Sequence, residues 1–224
     1  MPHLVHRPSA NASVMPHASS PANPVLLRAD DLHLSYGGQA LFAGLSFTIH
    51  PGLNLLQGGE GRGKTSLLRM LSGSLQPQRG RLDFGARAAP IQVYYECPEA
   101  AAHDACPAQD WLAERRPRFP AWQAALEAEL ILSLGLEEHL GKPMFMLSTG
   151  SRRKIGLVAA AACGAELTLL DQPYSALDAR SSRVLSDLLL AASQQQARAW
   201  LLADYGMPPA LTTVRLQSLI DLGD

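Results

Sequence analysis

Eight consecutive residues in the first third of the chain have the types and spacing of a phosphate-binding loop. They are Gly58, Gly59, Glu60, Gly61, Arg62, Gly63, Lys64 and Thr65. Glycines let the backbone curl so that successive N–H groups point at phosphate oxygens, while the Lys and Thr side chains suit the β/γ-phosphates and Mg²⁺. An apolar run precedes the loop and a helical pattern that includes Ser66 follows it. That context favours a nucleoside triphosphate site over a glycine-rich turn with a chance Lys-Thr pair.

A carboxylate with suitable chemistry lies farther along the chain. Asp171 ends the apolar run 167–170, so its side chain is expected to point at the phosphate site from the end of a buried strand. A hard cation such as Mg²⁺ prefers oxygen ligands of this kind. The alternative role for Asp171, a helix N-cap, is disfavoured by the apolar strand that precedes it.

Short apolar runs alternate with helical patterns, and this alternation predicts an α/β fold. The predicted strands are residues 26–36, 45–50, 53–56, 81–84, 91–95, 167–171, 199–203 and 213–222. The predicted helices begin near Lys64, at an N-cap of Ser148 or Thr149, and near Arg180. Such an order gives a mostly parallel sheet flanked by helices, with its site at the carboxyl ends of the strands. The run 91–95 is expected to be a central strand of that sheet.

Two segments differ from this pattern. Residues 1–24 are rich in Pro, Ser, Ala, His and Asn, which predicts a disordered leader before a domain of residues 25–224. Between about 98 and 146, leucines recur at helical spacing and prolines interrupt them. This composition predicts a small helical insert.

The composition excludes several functional classes. The chain has 224 residues and a net charge of −1, which gives no general attraction to nucleic acid, so no nucleic-acid partner is expected. The longest apolar stretch, 155–165, is shorter than the roughly 20 residues of a membrane span. No apolar signal-peptide core lies in residues 1–24. We therefore expect a cytoplasmic protein.

Three cysteines allow two interpretations. Cys97, Cys106 and Cys163 form a sparse, odd-numbered set that suits a reducing compartment. Together with His103 they could share a metal ion, but their spacing is not that of a familiar zinc site. Free thiols are the favoured interpretation.

Four further motifs resemble the nucleotide-binding subunit of ATP-binding-cassette (ABC) transporters. Residues 147–151, Leu-Ser-Thr-Gly-Ser, are similar to the family's Leu-Ser-Gly-Gly-Gln signature. Residues 169–173, Leu-Leu-Asp-Gln-Pro, are similar to its Leu-Leu-Asp-Glu-Pro run, and residues 175–178 to its D-loop, which ends here in Asp178. Tyr36 stands where the family has an aromatic that stacks on adenine. Within the family, the short length and the start at 41–47 look most like the haem-export subunit of bacterial cytochrome c maturation.

The resemblance implies the fold and the ligands of that family. The fold is a P-loop NTPase of the ABC type, with a mostly parallel sheet flanked by helices, an antiparallel β subdomain and a helical insert. The ligands are ATP and Mg²⁺, with Thr65 and Asp171 holding the metal. Tyr36 would offer a flat face to the adenine; its alternative role is that of a core aromatic at the end of a turn.

The resemblance also implies partners. Ser148, Thr149, Gly150 and Ser151 would contact the ATP of a second subunit in a head-to-tail homo- or heterodimer; the alternative is an ordinary capped helix. An integral-membrane permease would dock on the helical insert. The chain would then be cytoplasmic and peripheral at the inner face of the cell membrane.

Three departures from the family pattern concern hydrolysis. Gln172 replaces the Glu that polarises water beside Asp171 and Lys64, and a neutral amide cannot accept the proton of that water. The switch histidine is absent from 203–205, where Asp204 would repel a γ-phosphate. The expected glutamine after the strand 91–95 is Glu96 or Cys97, of which Glu96 could still reach Mg²⁺.

These residues support two leading functional hypotheses. In the first, the chain is an ABC-type ATPase subunit that binds MgATP and dimerises to power a permease, with slow or partner-dependent hydrolysis. In the second, it is a hydrolysis-poor regulatory subunit paired with an intact ABC ATPase. A third hypothesis is a soluble cassette ATPase of DNA repair or translation. Proteins of that class usually carry a second cassette or a long coiled coil, and this sequence shows neither pattern.

Overall fold

Strands and helices alternate through most of the chain in the computed structural model, which describes residues 24–86, 89–96 and 104–223. The strands are β1 (Leu27–Tyr36), β2 (Gln39–Ile49), β3 (Gly52–Gln57), β4 (Arg79–Asp83), β5 (Val93–Glu96), β6 (Leu167–Asp171), β7 (Ala199–Asp204) and β8 (Ser218–Asp221). The α-helices are α1 (Lys64–Leu71), α2 (Ala108–Arg115), α3 (Ala124–Ser133), α4 (Thr149–Ala162) and α5 (Ala179–Ser193). The predicted leader, residues 1–24, lies outside the described residues except for Pro24.

A five-stranded parallel sheet positions the predicted site. Its strand order is β5-β6-β7-β3-β8, and each neighbouring pair is parallel. Strands β3, β6 and β7 are buried almost throughout because helices cover both faces. Their carboxyl ends lead into the phosphate loop, into Gln172 and into Tyr205, so these segments meet at one edge of the sheet. The predicted parallel α/β fold is confirmed.

The prediction that 91–95 forms a central strand is wrong. Strand β5 pairs with β6 alone and lies at one edge of the five-stranded sheet as described. Its apolar character has another cause: Tyr94 is only 5% exposed and packs in the core beside Phe119. Burial of the two sheet faces, rather than pairing on both sides, explains the run of apolar residues.

A second sheet is antiparallel and has the order β2-β1-β4. It shares a core with α1 and with one face of the parallel sheet. Leu67, Leu68 and Leu71 of α1 lie in this core and are fully or almost fully buried. β2 is longer than the predicted strand 45–50 and contains Gly44 at a φ of 90°. This sheet is the antiparallel β subdomain that the resemblance implied.

Helices α2 and α3 and three short 3₁₀ turns occupy the described part of the predicted insert. They pack on α4, around Leu112, Leu130 and Leu136. No helix among the described residues is both long and apolar enough to cross a membrane.

A buried carboxylate fixes α3 to the turn that precedes it. The Glu127 side chain is 5% exposed and accepts hydrogen bonds from Arg116 at 2.6 and 3.1 Å. Trp122 donates its indole N–H to the same carboxylate at 2.7 Å. The pairing raises the pKa of Arg116 through its hydrogen bond to Glu127. Since each carboxylate oxygen has a donor, the burial of this charge is compensated.

Removal of one partner should expose the cost of that burial. We expect Arg116→Met to destabilise the chain by about 2 kcal/mol, below the usual range for breaking a buried pair because Arg116 is itself half-exposed. Arg118→Met, at an exposed arginine of the same 3₁₀ turn, is the matched control and should change little. Urea denaturation of the two variants measures the difference, and equal stabilities would contradict this account.

Candidate functional site

The phosphate loop joins β3 to α1, as its motif predicted. Gly58, Gly59, Glu60, Gly61, Arg62 and Gly63 follow β3, and α1 begins at Lys64. Gly63 is the N-cap of α1 with a φ of 94°, and a Cβ there would lie 2.9 Å from the ring of Phe42. Both the left-handed backbone and the close aromatic ring require glycine at this position. The loop therefore presents backbone rather than side chains to whatever binds there.

Lys64 fills the loop from within. Its side chain is buried, and Nζ donates to the carbonyl oxygens of Gly58 at 2.5 Å and Gly59 at 2.8 Å. The same ammonium lies 4.5 Å from the centroid of the Tyr205 ring, which is a cation–π contact. A phosphate that enters the loop must compete with these three contacts for the charge of Lys64.

Two hydroxyl groups converge on the carboxylate of Asp171, and one of them belongs to Thr65, the residue after this lysine. The Thr65 hydroxyl donates to Asp171 Oδ2 at 2.7 Å, and the Tyr95 hydroxyl donates to the same oxygen at 3.3 Å. Hydroxyl and carboxylate oxygens are hard ligands, and Mg²⁺ usually takes one or two of them and completes its shell with phosphates and water. Among the described residues, no cluster of three or more His, Cys, Asp or Glu side chains could hold a metal alone. Thr65 and Asp171 therefore fit Mg²⁺ that arrives with phosphate.

Glu96, the third predicted magnesium ligand, is the last residue of β5, and its side chain lies outside the described part of the structure. The same holds for Cys97 and His103 of the cysteine cluster. Cys106 and Cys163 are free thiols; burial raises the pKa of Cys163.

Gln172 directly follows Asp171 at the end of β6. Its φ of 46° places a non-glycine residue in the left-handed region, and its N–H donates to the carbonyl of Ala203 at 2.8 Å. One guanidinium nitrogen of Arg153, Nη1, donates to the carbonyls of Asp171 at 3.0 Å and Gln172 at 2.8 Å. The backbone on which Gln172 sits is therefore held from two sides.

The last residue of β7, Asp204, and the residue that follows it, Tyr205, have different surroundings. Asp204, which the sequence predicts to face a γ-phosphate, lines a cavity of about 510 Å³ together with Tyr174, Arg183 and Met207. Tyr205 is the residue that reaches Lys64.

Burial raises the pKa of Asp204 above its usual range. The hydrogen bond from the Tyr205 N–H and the positive charges of Lys64 and Arg153 act in the opposite direction, and the charge of Asp171 adds to the increase. Asp204 is thus coupled to the phosphate site by charge rather than by contact.

The signature-like segment opens α4. Ser148 is its N-cap and accepts a hydrogen bond from the Ser151 N–H at 3.1 Å. Ser148 and Thr149 are exposed, whereas a Cβ on Gly150 would lie 2.4 Å from the carbonyl oxygen of Ala176. The segment therefore offers its polar end to solvent and packs its glycine against residues 175–178 of the same chain.

Asp178 caps α5 by accepting from the Ser181 N–H at 2.8 Å, and this hydrogen bond lowers the pKa of its carboxyl to about 2.

Tyr36 lies at the end of β1 and is 53% exposed. The alternative role of Tyr36 as a core aromatic is therefore wrong, and its ring is free to contact a ligand.

Comparison with known proteins identifies this set of motifs. A sequence profile for the ABC transporter family matches residues 42–175, which is more than half of the chain. The chain belongs to the ABC transporter family. It is an ABC-type ATPase subunit by family, as the sequence predicted.

Two relatives are named cytochrome c biogenesis ATP-binding export protein CcmA. That of Rhodospirillum rubrum is 36% identical over 179 residues, covering 77% of this chain and 77% of the relative. The protein of Cupriavidus necator is 32% identical over 232 residues, and the match covers 94% of this chain and 99% of the relative. A solved ATP-binding subunit of an ABC transporter has a TM-score of 0.69 at 22% identity and covers 80% of this chain and 79% of its own. The last comparison supports the ABC ATPase fold.

Two residues near the site, Tyr205 and Arg153, are not among those that the sequence predicts. Tyr205 follows a buried strand that neighbours β3, so its position beside the phosphate loop could have been inferred from strand order. Arg153 is a charged residue whose neighbours Ile155 and Gly156 are buried, which is a signal of a special role. Neither signal says which atoms these side chains contact.

Removal of the Tyr205 ring should free Lys64 in this ABC subunit. The ring competes with phosphate for the Lys64 ammonium. We therefore expect Tyr205→Ala to lower the Kd for MgADP about twofold to fivefold, which corresponds to the free energy of an exposed cation–π contact. Tyr205→Phe keeps the ring and serves as the control, with an unchanged Kd. Isothermal titration calorimetry measures both, and weaker MgADP binding by Tyr205→Ala would mean that the ring belongs to the nucleotide-bound state.

Replacement of Asp204 should have a pH-dependent effect on stability. Its folded-state pKa is raised, so at neutral pH the folded chain carries a disfavoured charge that Asp204→Asn removes. The variant should melt higher at pH 7, by no more than about 2–4 °C because water still reaches this half-buried group. As pH falls through the raised value toward the ordinary value of 3.8, wild type takes up the proton and the gap closes.

Thermal melts between pH 4 and 8 test this sign. Asp187→Asn, at an exposed position of α5, makes the same change of charge and should show no such gap. A gap that widened at low pH would contradict the assignment.

Proposed function

We propose that this chain binds MgATP in its phosphate loop and dimerises around it to power a membrane permease. The observation that carries the proposal is the convergence of Lys64, Thr65 and Asp171 at the end of the loop. Lys64 has two backbone carbonyls to exchange for phosphate oxygens. Thr65 and Asp171 are already within hydrogen-bond distance and would share Mg²⁺, which neutralises phosphate charge when bound.

Each further residue has a role in binding. The backbone N–H groups of residues 58–63 and of Ser66 would contact phosphate oxygens, and Tyr36 would stack on adenine. Glu96 is retained as a third magnesium ligand. The neighbouring ends of β3 and β7 and of β6 and β7 support a shared site for Lys64, Thr65 and Asp171.

The proposed dimer uses the exposed start of α4. Ser148, Thr149, Gly150 and Ser151 would direct N–H groups and hydroxyls at the γ-phosphate held by a second subunit, where the dipole of a 14-residue helix favours an anion. Asp178 lies in the loop that Gly150 packs against and would belong to the same interface. The second subunit is either another copy or a related chain.

Hydrolysis is proposed to be slow. Gln172 can orient a water molecule through its amide, but it cannot accept a proton, and a general base is typically worth about 10²–10⁴-fold in rate. Tyr205, rather than a histidine, stands next to Lys64. Asp204 acts on the site through its charge.

The proposed partner is an integral-membrane permease, since ATP-binding subunits of ABC transporters act with permeases. We propose that it docks on residues 98–146 and holds the chain at the inner face of the cell membrane. The names of the relatives support an export process in cytochrome c biogenesis. Nucleic acid is not a proposed partner, since the net charge is −1.

A second candidate function is a regulatory subunit that binds ATP and hydrolyses little. The observation that favours it is the amide at Gln172 beside the complete binding set of Lys64, Thr65 and Asp171. In this case an intact ABC ATPase would be the partner, and the exposed segment at Ser148 would complete the partner's site.

A carboxylate introduced at position 172 tests whether Gln172 slows hydrolysis. We expect wild type to bind MgATP and turn it over well below the 1–10 s⁻¹ of an ordinary ATPase, and Gln172→Glu to raise kcat about 10²-fold or more. Gln196→Glu makes the same chemical change at an exposed position and should leave kcat unaltered. The measurement is steady-state phosphate release beside MgATP binding on the same samples.

The experiment has three informative outcomes. A large gain in Gln172→Glu supports a slowed site. Ordinary turnover by wild type with no gain would refute the role given to Gln172 and would mean that another group acts as base. No binding of MgATP by wild type would refute the proposed function itself.

A further inference from the structure

A buried arginine of α4 has an unusual set of partners. Arg153 is 6% exposed, and among the described residues its Nε is the one buried side-chain nitrogen or oxygen without a hydrogen-bond partner. Burial of a guanidinium is costly unless its donors are satisfied, and no ion pair within the described ranges compensates this one by contact. An apolar side chain would fill this space at lower cost, so packing alone does not account for an arginine here.

The hydrogen bonds that Arg153 does make go to one dipeptide. Nη1 donates to the carbonyl oxygens of Asp171 and Gln172 at 3.0 and 2.8 Å. Gln172 has a left-handed backbone, which a non-glycine residue adopts only when its surroundings impose it. Arg153, the carbonyl of Ala203, which accepts from the Gln172 N–H, and the Ser175 N–H, which donates to the Gln172 carbonyl at 3.0 Å, are the groups that hydrogen-bond this residue's backbone.

The same helix touches the other end of this loop. Gly150, three residues before Arg153, approaches the carbonyl of Ala176 so closely that a Cβ would lie 2.4 Å from it. Ala176 is also left-handed, with a φ of 61°. The first turns of α4 therefore fix both left-handed residues of the loop that follows β6.

We propose that Arg153 is a positioning residue that couples the exposed signature segment of α4 to the orientation of Gln172 in the same chain. This inference rests on the proposed function, in which Ser148 and Gly150 contact a phosphate held by the second subunit. A shift of the first turn of α4 at that contact is transmitted through the Arg153 hydrogen bonds to the backbone of Asp171 and Gln172. The nucleotide at one site thereby sets the geometry of the water-orienting amide at the other.

Amide hydrogen exchange tests this coupling without requiring hydrolysis. The Gln172 and Ser175 N–H groups donate to backbone carbonyls, so the loop contains protected amides that report its opening. In full-length chain without nucleotide, we expect Arg153→Met to speed exchange of residues 171–177 about tenfold and to leave β3 and α5 unaltered. Arg153→Lys should restore most of the protection, because one ammonium can donate to both carbonyls.

Arg152→Met is the matched control. Arg152 lies on the same turn, but it pairs with Asp104 at 2.9 Å and donates to the carbonyl of Met144 at 3.0 Å, away from Gln172. It should leave residues 171–177 at the wild-type exchange rate. Faster exchange throughout α4 and β6 in Arg153→Met, or no change at 171–177, would overturn the inference.

A non-hydrolysable ATP analogue with Mg²⁺, at protein concentrations where dimers form, tests the transmission itself. In wild type the analogue should slow exchange both at the phosphate loop, residues 58–66, and at residues 171–177. In Arg153→Met the first effect should persist and the second should be lost. Protection at both segments in the variant would overturn the inference, whereas absence of any protection at the phosphate loop in wild type would overturn the proposed function instead.

Kinetics give an independent readout in the Gln172→Glu chain. Because Arg153 touches backbone carbonyls and not the phosphate loop, addition of Arg153→Met should lower kcat about tenfold and keep KM within about twofold. An unchanged kcat would count against the inference. If that chain does not turn over, the exchange measurements decide alone.

Discussion

The site depends on a constraint of parallel sheets: strands that run in one direction end at one edge. β6, β7 and β3 are consecutive neighbours, so Asp171, Tyr205 and the phosphate loop lie at one edge, although the loop is more than a hundred residues from the other two in sequence. The Thr65–Asp171 hydrogen bond of 2.7 Å is the direct contact that results. Helices on both faces bury the strands whose ends form this edge.

Charged groups of both signs lie around the site. Lys64 and Arg153 are buried cations, and Asp171 and Asp204 are the carboxylates whose charges act beside them. Lys64 donates to two loop carbonyls and contacts the Tyr205 ring, and Nη1 of Arg153 donates to the two carbonyls after β6. The loop carbonyls around Lys64 are neutral partners, so a phosphate with its full negative charge can replace them.

Helix α4 has an exposed first turn and a buried contact with the loop after β6. Its capped start is exposed at Ser148, while its next turn contacts the loop that carries Gln172. Cores and packed interfaces respond to a local shift by moving as units, since their packing density leaves little room to absorb it. The subdomain built by α2 and α3 packs on the other side of α4, so a protein docked there would act on the same helix.

The sequence by itself determined the fold class, the phosphate loop and the order of the motifs, because these depend on local pattern: glycine spacing, apolar runs and capping residues. It also identified Gln172 as a chemical departure, since an amide differs from a carboxylate in any conformation. Tertiary structure alone decided that 91–95 lies at a sheet edge, that Tyr205 rather than Asp204 meets Lys64, and that Arg153 reaches the Asp171–Gln172 backbone. Each of these depends on which strands are neighbours and on which face a side chain emerges, and long-range packing fixes both.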